Sequence, residues 1–247
     1  MAQNIYDRPE FFEGYSRLGR SVEGLGGAPE WPALRAMLPD VEGLSIVDLG
    51  CGFGWFCRWA AGQGAASVLG LDLSERMLER AVRETTDPTV TYRRADLDAV
   101  DLGTGAFDLA YSSLALHYLQ DVGRVLAGVR RALAPGGVLV ASVEHPIYTA
   151  PSAPAFVPGP SGRPVWPLDR YLDPGRRVTD WLAPGVVKYH RTVGDYVGAF
   201  LRAGFTLTGL EEWGPTDEQL AEHPDWAGER ERPMFMLLSG AVGTVAP

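Results

Sequence analysis

A short apolar strand that runs straight into a glycine-rich turn constrains this chain more than any other feature: Ile46-Val47-Asp48-Leu49-Gly50-Cys51-Gly52-Phe53-Gly54. A second apolar stretch, Leu69-Gly70-Leu71, closes on Asp72, 22 residues after Gly50, and a third closes on Asp96 in Arg94-Ala95-Asp96-Leu97. Glycines let the backbone turn sharply and approach a ligand with no Cβ in the way. A carboxylate at the end of the second strand stands where it accepts hydrogen bonds from both hydroxyls of a ribose. The pattern reads as a nucleotide cradle.

From Ser45 to Ser142 strand and helix alternate. Strands are expected at Ser45–Leu49, Ser67–Leu71, Val90–Arg94, Phe107–Tyr111 and Val138–Val143, with helices at Gly54–Ala61, Ser74–Glu84 and Asp121–Leu133. Such alternation implies an α/β, doubly wound, mostly parallel sheet. Ser74 followed by Glu75 fits a helix start, and Pro135-Gly136-Gly137 fits a helix stop and tight turn. With 247 residues and 46% hydrophobic content, one core and a single domain, 1–247, are expected.

Within that domain residues 1–43 read as an aromatic-rich helical flap, 44–145 as the nucleotide-binding core, 146–190 as an inserted lid and 191–247 as a helix and strand pair. The lid is marked by an abrupt turn to proline, serine and glycine with Trp166, Tyr171 and Trp181 embedded. Prolines cannot donate into a central ladder, so the insertion is expected to cross the surface near the strand ends. The strands near Phe205–Glu211 and Met234–Ser239 read as a C-terminal antiparallel hairpin.

A formal charge of −9 repels phosphate backbones, and the arginine pairs are short and scattered, which argues against a nucleic-acid partner. Two cysteines, Cys51 and Cys57, give no disulfide framework or metal set and read as packing residues. No stretch approaches the ~20 apolar residues of a membrane span, and the polar start lacks a secretory signal, so a cytoplasmic protein with no membrane partner is expected. The sequence leaves the oligomeric state open, a homodimer included.

The glycine turn, Asp48, Asp72, Asp96, Phe107-Asp108-Leu109 and Leu133-Ala134-Pro135-Gly136-Gly137 together make the chain resemble class I S-adenosylmethionine-dependent methyltransferases, in particular the small-molecule branch called type 11. The resemblance covers residues 45 to 143 and implies a seven-stranded Rossmann-like sheet. It also implies S-adenosylmethionine as cofactor and a small organic acceptor as partner. Asp48, Gly50 and Gly52 would hold the methionine end and Asp72 the ribose. Leu73 and Met77 would flank the adenine, while Asp96 and Leu97 would meet its amino edge. Ser112, with Ser113, would form the floor, His117 would be a cofactor-side contact, and Tyr15 and Arg20 of the flap would reach the methionine carboxylate. Met77 reads equally well as core filler.

A sulfonium methyl is already electrophilic, so alignment and exclusion of water are the main tasks, with a general base where the acceptor must lose a proton. His145 after the fifth strand, oriented by Glu144, is the first candidate base, with His190 at the end of the lid and Glu144 itself as the others. Trp166, Trp181 and Tyr189 fit an apolar or aromatic acceptor. Two rival readings stand. A nicotinamide-dependent oxidoreductase is disfavoured by Trp55 at the last fingerprint position and by Lys188 being the only lysine; a nucleoside-binding protein without turnover shares the same motifs.

Overall fold

The computed structural model describes residues 3–160 and 162–243. Its strands are β1 (Ser45–Leu49), β2 (Ser67–Asp72), β3 (Val90–Arg94), β4 (Phe107–Ser113), β5 (Leu133–Glu144), β6 (Val157–Pro158), β7 (Pro164–Val165), β8 (Gly175–Trp181), β9 (Ala183–His190), β10 (Phe205–Trp213) and β11 (Phe235–Val242). The helices are α1 (Pro9–Ser16), α2 (Gly19–Val22), α3 (Trp31–Met37), α4 (Trp55–Gly62), α5 (Glu75–Glu84), α6 (Val122–Ala132), α7 (Pro146–Thr149), α8 (Val193–Arg202) and α9 (Asp217–Glu222).

Seven strands form the central sheet in the order β10-β11-β5-β4-β1-β2-β3. β1 to β5 pair in parallel, and β11 enters antiparallel between β5 and β10. The order reverses beside β1, and in open α/β sheets ligands settle at the carboxyl ends of the strands at that reversal. The β10–β11 pair is antiparallel as expected, though its connection carries α9 and a 3₁₀ segment, Pro224–Arg230, instead of a tight turn.

Strand alternation sorts the core onto two faces. Val47 and Leu49 pack with α6 and α8, whose Val125, Leu126, Val129 and Phe200 are buried. Ile46 packs on the opposite face with Leu34 of α3 and with Phe56 and Ala60 of α4. Helix starts are set by local chemistry: the Ser74 hydroxyl accepts from Met77 N at 3.1 Å, and Asp121 accepts from Arg124 N at 3.0 Å. Along α6 the buried residues Val122, Val125, Leu126, Val129 and Ala132 recur at helical spacing, so the helix lays one apolar stripe on the sheet. Pro135-Gly136-Gly137 does not separate α6 from a later strand as expected. β5 already begins at Leu133, and the pairing jumps from Phe107–Leu133 to Leu109–Val138, leaving the three residues as an irregularity within the strand.

The insertion adds no strand to the central sheet. It folds into two separate ribbons, β6–β7 and β8–β9. Ala183 and Val186 of the second ribbon are buried with Ile5 and Phe11 of the N-terminal segment, and Phe11 meets Trp181 edge to face at 5.5 Å. Among the described residues no helix is long and apolar enough to cross a membrane.

Candidate active site

The cradle is built where β1 ends. Gly50 takes φ +83°, and Gly50 N and Cys51 N both donate to Leu71 O, at 2.8 and 2.9 Å, so the turn is tied to the neighbouring strand. A Cβ on Gly50 would stand 2.4 Å from the Ala115 methyl. Gly52 N donates to Asp72 Oδ2 at 2.9 Å and Ser74 N to Oδ1 at 2.8 Å. Burial pushes the Asp72 carboxyl up from its usual range, against the opposing pull of these N–H groups. A Cβ on Gly52 would meet no atom within 4 Å. The Asp7 carboxylate, accepting from Ser74 Oγ at 2.5 Å and Arg76 N at 3.2 Å, fastens the N-terminal segment to the start of α5.

Two cavities open at this turn. The smaller, about 90 Å³, is lined by Arg20, Ser21, Glu30, Asp48 and Trp55 among others. Glu30 is fully buried and takes Arg20 through both oxygens at 3.0 Å. Ser21 Oγ and Trp55 Nε1 are buried with no hydrogen-bond partner among the described residues. Burial raises the Asp48 carboxyl to about 7, although Cys57 Sγ donates to it at 3.3 Å. Glu30, Ser21 and Trp55 were not among the sequence candidates. Their only signal was proximity in the chain to Arg20 and to the glycine turn.

The larger cavity, about 380 Å³, brings Tyr15, Arg20, Gly50, Gly52, Asp72 and Met77 together with His117 and Glu144 in one space. Trp181 of the insertion and Trp213, Trp226 and Glu229 of the C-terminal region complete its far walls. The remaining sequence candidates stand elsewhere. Ser112 is fully buried, its hydroxyl donating to Leu49 O at 2.9 Å, while Ser113 lines the cavity. Leu73 O accepts from Arg94 Nε at 3.1 Å, Asp96 Oδ1 accepts from Asp98 N at 3.0 Å, and Leu97 packs on the apolar core.

Two of the candidate histidines lie outside the cavity. His145 Nδ1 accepts from Ile147 N at 3.0 Å, which puts the proton on Nε2, and Nε2 donates to Glu212 at 2.8 Å. His190 Nε2 donates to Tyr171 O at 2.9 Å, so its Nδ1 accepts from the Thr149 hydroxyl at 2.8 Å. Both rings have spent both nitrogens on holding α7 and the ribbon in place, burial favours their neutral forms, and neither lines the cavity. His117 does line it. Glu144 N donates to its Nδ1 at 3.3 Å, and burial lowers the ring to about 4, so it faces the site as a neutral donor. Glu144 Oε1 is paired with Lys188 Nζ, while Glu144 Oε2 is buried without a hydrogen-bond partner among the described residues. Trp166 is also away from the cavity: it stacks on Tyr148 at 5.8 Å beneath the Arg232 guanidinium.

Comparison with known proteins decides the class. Residues 47–141 match the family described as a methyltransferase domain. A crystal structure of an S-adenosylmethionine-dependent methyltransferase from Mesorhizobium loti is 59% identical, superposes with a TM-score of 0.86, and covers 88% of this chain and 100% of that one. The chain belongs to the S-adenosylmethionine-dependent methyltransferases. It is also 30% identical to the N-demethylindolmycin N-methyltransferase of Streptomyces griseus across 90% of this chain and 95% of that one. Its likeness to the trans-aconitate 2-methyltransferase of Deinococcus radiodurans, 39% identical, spans only 44% of this chain and 42% of the other. These matches set the oxidoreductase alternative aside.

The methyltransferase's cofactor fits the residues present. Open space where Gly52 lacks a side chain, an acceptor at Asp72, and orphaned Ser21 and Trp55 groups beside Arg20, Glu30 and Asp48 suit a nucleoside joined to a zwitterion.

Proposed function

We propose that this enzyme methylates a small organic acceptor seated in the larger cavity against Glu144 and Trp181. The observation that carries this reading is continuity: residues of the glycine cradle and residues at the edge of the insertion line one space. S-adenosylmethionine supplies an activated methyl group. What the chain itself contributes is placement and dryness.

In this reading the carboxylate of Asp72 receives the ribose hydroxyls. The smaller cavity takes the amino-acid end, with Arg20 facing the carboxylate and Ser21, Trp55, Glu30 and Asp48 completing the polar wall. Met77 flanks the base. Asp96 and Leu97 stand just past β3, whose Arg94 pairs with Asp72, and they keep the role proposed for them at the adenine edge.

Glu144 Oε2 is the group that accepts the proton of the acceptor, because Lys188 occupies the other oxygen and no donor among the described residues reaches this one. His117, neutral with its proton on Nε2, donates to an oxygen of the acceptor. The segment 146–190, as lid, and the N-terminal flap select the acceptor and close over it. The Streptomyces griseus relative, named for a small-molecule acceptor, supports this choice of substrate class.

The test is turnover. Protein incubated with methyl-deuterated S-adenosylmethionine and fractionated metabolite extract should yield a product carrying the labelled methyl and an equal amount of adenosylhomocysteine. Cofactor binding with no label transferred to any acceptor would leave the nucleoside-binding alternative instead.

A further inference from the structure

A third cavity of about 470 Å³ lies under the insertion and shares Glu144, Tyr148 and Trp181 with the larger one. Its charge is opposite to that of the protein. The chain carries −9, yet Arg170, Arg176, Arg177 and Lys188 line this space against only two carboxylates, Glu144 and Asp180. Both acids are engaged, Glu144 with Lys188 and Asp180 with Gly185 N at 3.1 Å. Arg170 is paired with Asp173.

That leaves Arg176 and Arg177, neither of which has an ion pair among the described residues. Arg177 is the unusual one. It is 8% exposed, and its guanidinium touches only backbone carbonyls, those of Ala150, Arg170, Asp173 and Arg176. The Asp173 and Asp169 carboxylates act on it from a distance, but neither bonds it, and burial still pulls its pKa down. On the same strand Thr179, also lining the cavity, has its Oγ1 buried with no hydrogen-bond partner among the described residues. A buried guanidinium with no directly bonded carboxylate, an arginine with no ion pair among the described residues and an orphaned hydroxyl lie on one short strand, and together they favour a bound anion.

We propose that this cavity binds an anionic group of the methyl acceptor, a carboxylate or a phosphate, through Arg176 and Thr179 with Arg177 as the buried charge behind them. The acceptor then spans the Glu144–Tyr148–Trp181 partition, its anionic end under the insertion and its nucleophile beside Glu144. This rests on the reading of the larger cavity as the acceptor site. It deepens that reading by requiring a negatively charged substrate.

The test uses amide NMR on protein saturated with adenosylhomocysteine, titrated separately with inorganic phosphate, indole-3-acetate and its uncharged counterpart indole-3-ethanol. Binding of adenosylhomocysteine itself, measured first by calorimetry on wild type and on Arg176→Glu, isolates failure of the cofactor reading. Saturable shifts confined to residues 148–154 and 170–181 are expected with phosphate, with indole-3-acetate or with both, and whichever saturates at lower concentration names the anionic group. Indole-3-ethanol should give none there. Arg176→Glu and Thr179→Val should each weaken the anion at least tenfold while leaving adenosylhomocysteine affinity within twofold. Unsaturable shifts, equal response to the uncharged alcohol, or undiminished anion binding in both variants would overturn the proposal.

Discussion

Lys188, the only lysine in the chain, is buried with its ammonium on Oε1 of Glu144, 44 residues earlier in sequence, at the boundary shared by the two acceptor-side cavities. Lys188→Met leaves the Glu144 carboxylate buried and unpaired, and the expected loss is about 3–5 kcal/mol of stability. Adding Glu144→Gln should return most of it. Urea denaturation of both single variants and the double variant measures the coupling. Glu144→Gln alone should lower kcat by about 100-fold or more, as loss of a general base does.

Asp72→Ala removes the acceptor to which Gly52 N and Ser74 N donate and, in the proposed binding mode, the partner of the ribose hydroxyls. Adenosylhomocysteine should bind at least about tenfold more weakly, roughly 1.4 kcal/mol. Calorimetry reads this directly, and equal affinity would remove Asp72 from the site.

His145→Ala strands the Ile147 N–H, and His190→Ala strands the Tyr171 carbonyl. Each should cost about 1–3 kcal/mol of stability. Turnover per folded molecule and its pH profile should stay unchanged, because neither ring reaches the cavity. A lost acidic limb in either pH profile would restore that histidine as the base.

Much of this arrangement was legible before any coordinates. Apolar strands alternating with amphipathic helices fixed a parallel sheet, since only one face of each helix and the ends of each strand remain free for other work. Asp48, Asp72 and the glycines were legible because a turn after β1 has few chemical solutions. The bonding of the histidines was not legible, for a different reason. A position at a strand end reveals nearness to the active edge but not which backbone groups a ring must satisfy, and Ile147 N, Glu212 and Tyr171 O claimed those rings. The β8–β9 ribbon was hidden because its apolar residues are buried by Ile5 and Phe11, more than a hundred residues away in the chain. Lys188 was hidden for the same reason, since an ion pair with Glu144, 44 residues away, leaves no periodic trace, while Glu30, ten residues from Arg20, was hidden because nothing in a short-range acid–base pair marks it as buried.

Asp48 gives a pH dependence with a definite sign. Its carboxyl ionises at about 7 in the folded protein, against 3.8 for an ordinary aspartate, so folding favours the protonated form. That contribution is present below pH 3.8 and is lost as pH rises to 7. Asp48→Asn keeps an acceptor for the Cys57 thiol and carries no such loss. Relative to wild type, the variant should gain stability between pH 4 and pH 7.5, by about 2–4 kcal/mol. Thermal melts across that range, without cofactor, check the slope. A parallel pH dependence in both proteins would contradict it.

The most direct measurement of the central claim is calorimetric titration of adenosylhomocysteine into the purified protein, alongside Gly52→Leu, whose side chain would fill the space left open at the cradle and strain the turn at φ +53°. Wild type should bind one equivalent with affinity of about 1 μM, roughly −8 kcal/mol, and the variant should bind at least about a hundredfold more weakly while melting as a folded protein. No saturable heat from wild type at millimolar ligand, or equal binding by the two proteins, would contradict the account.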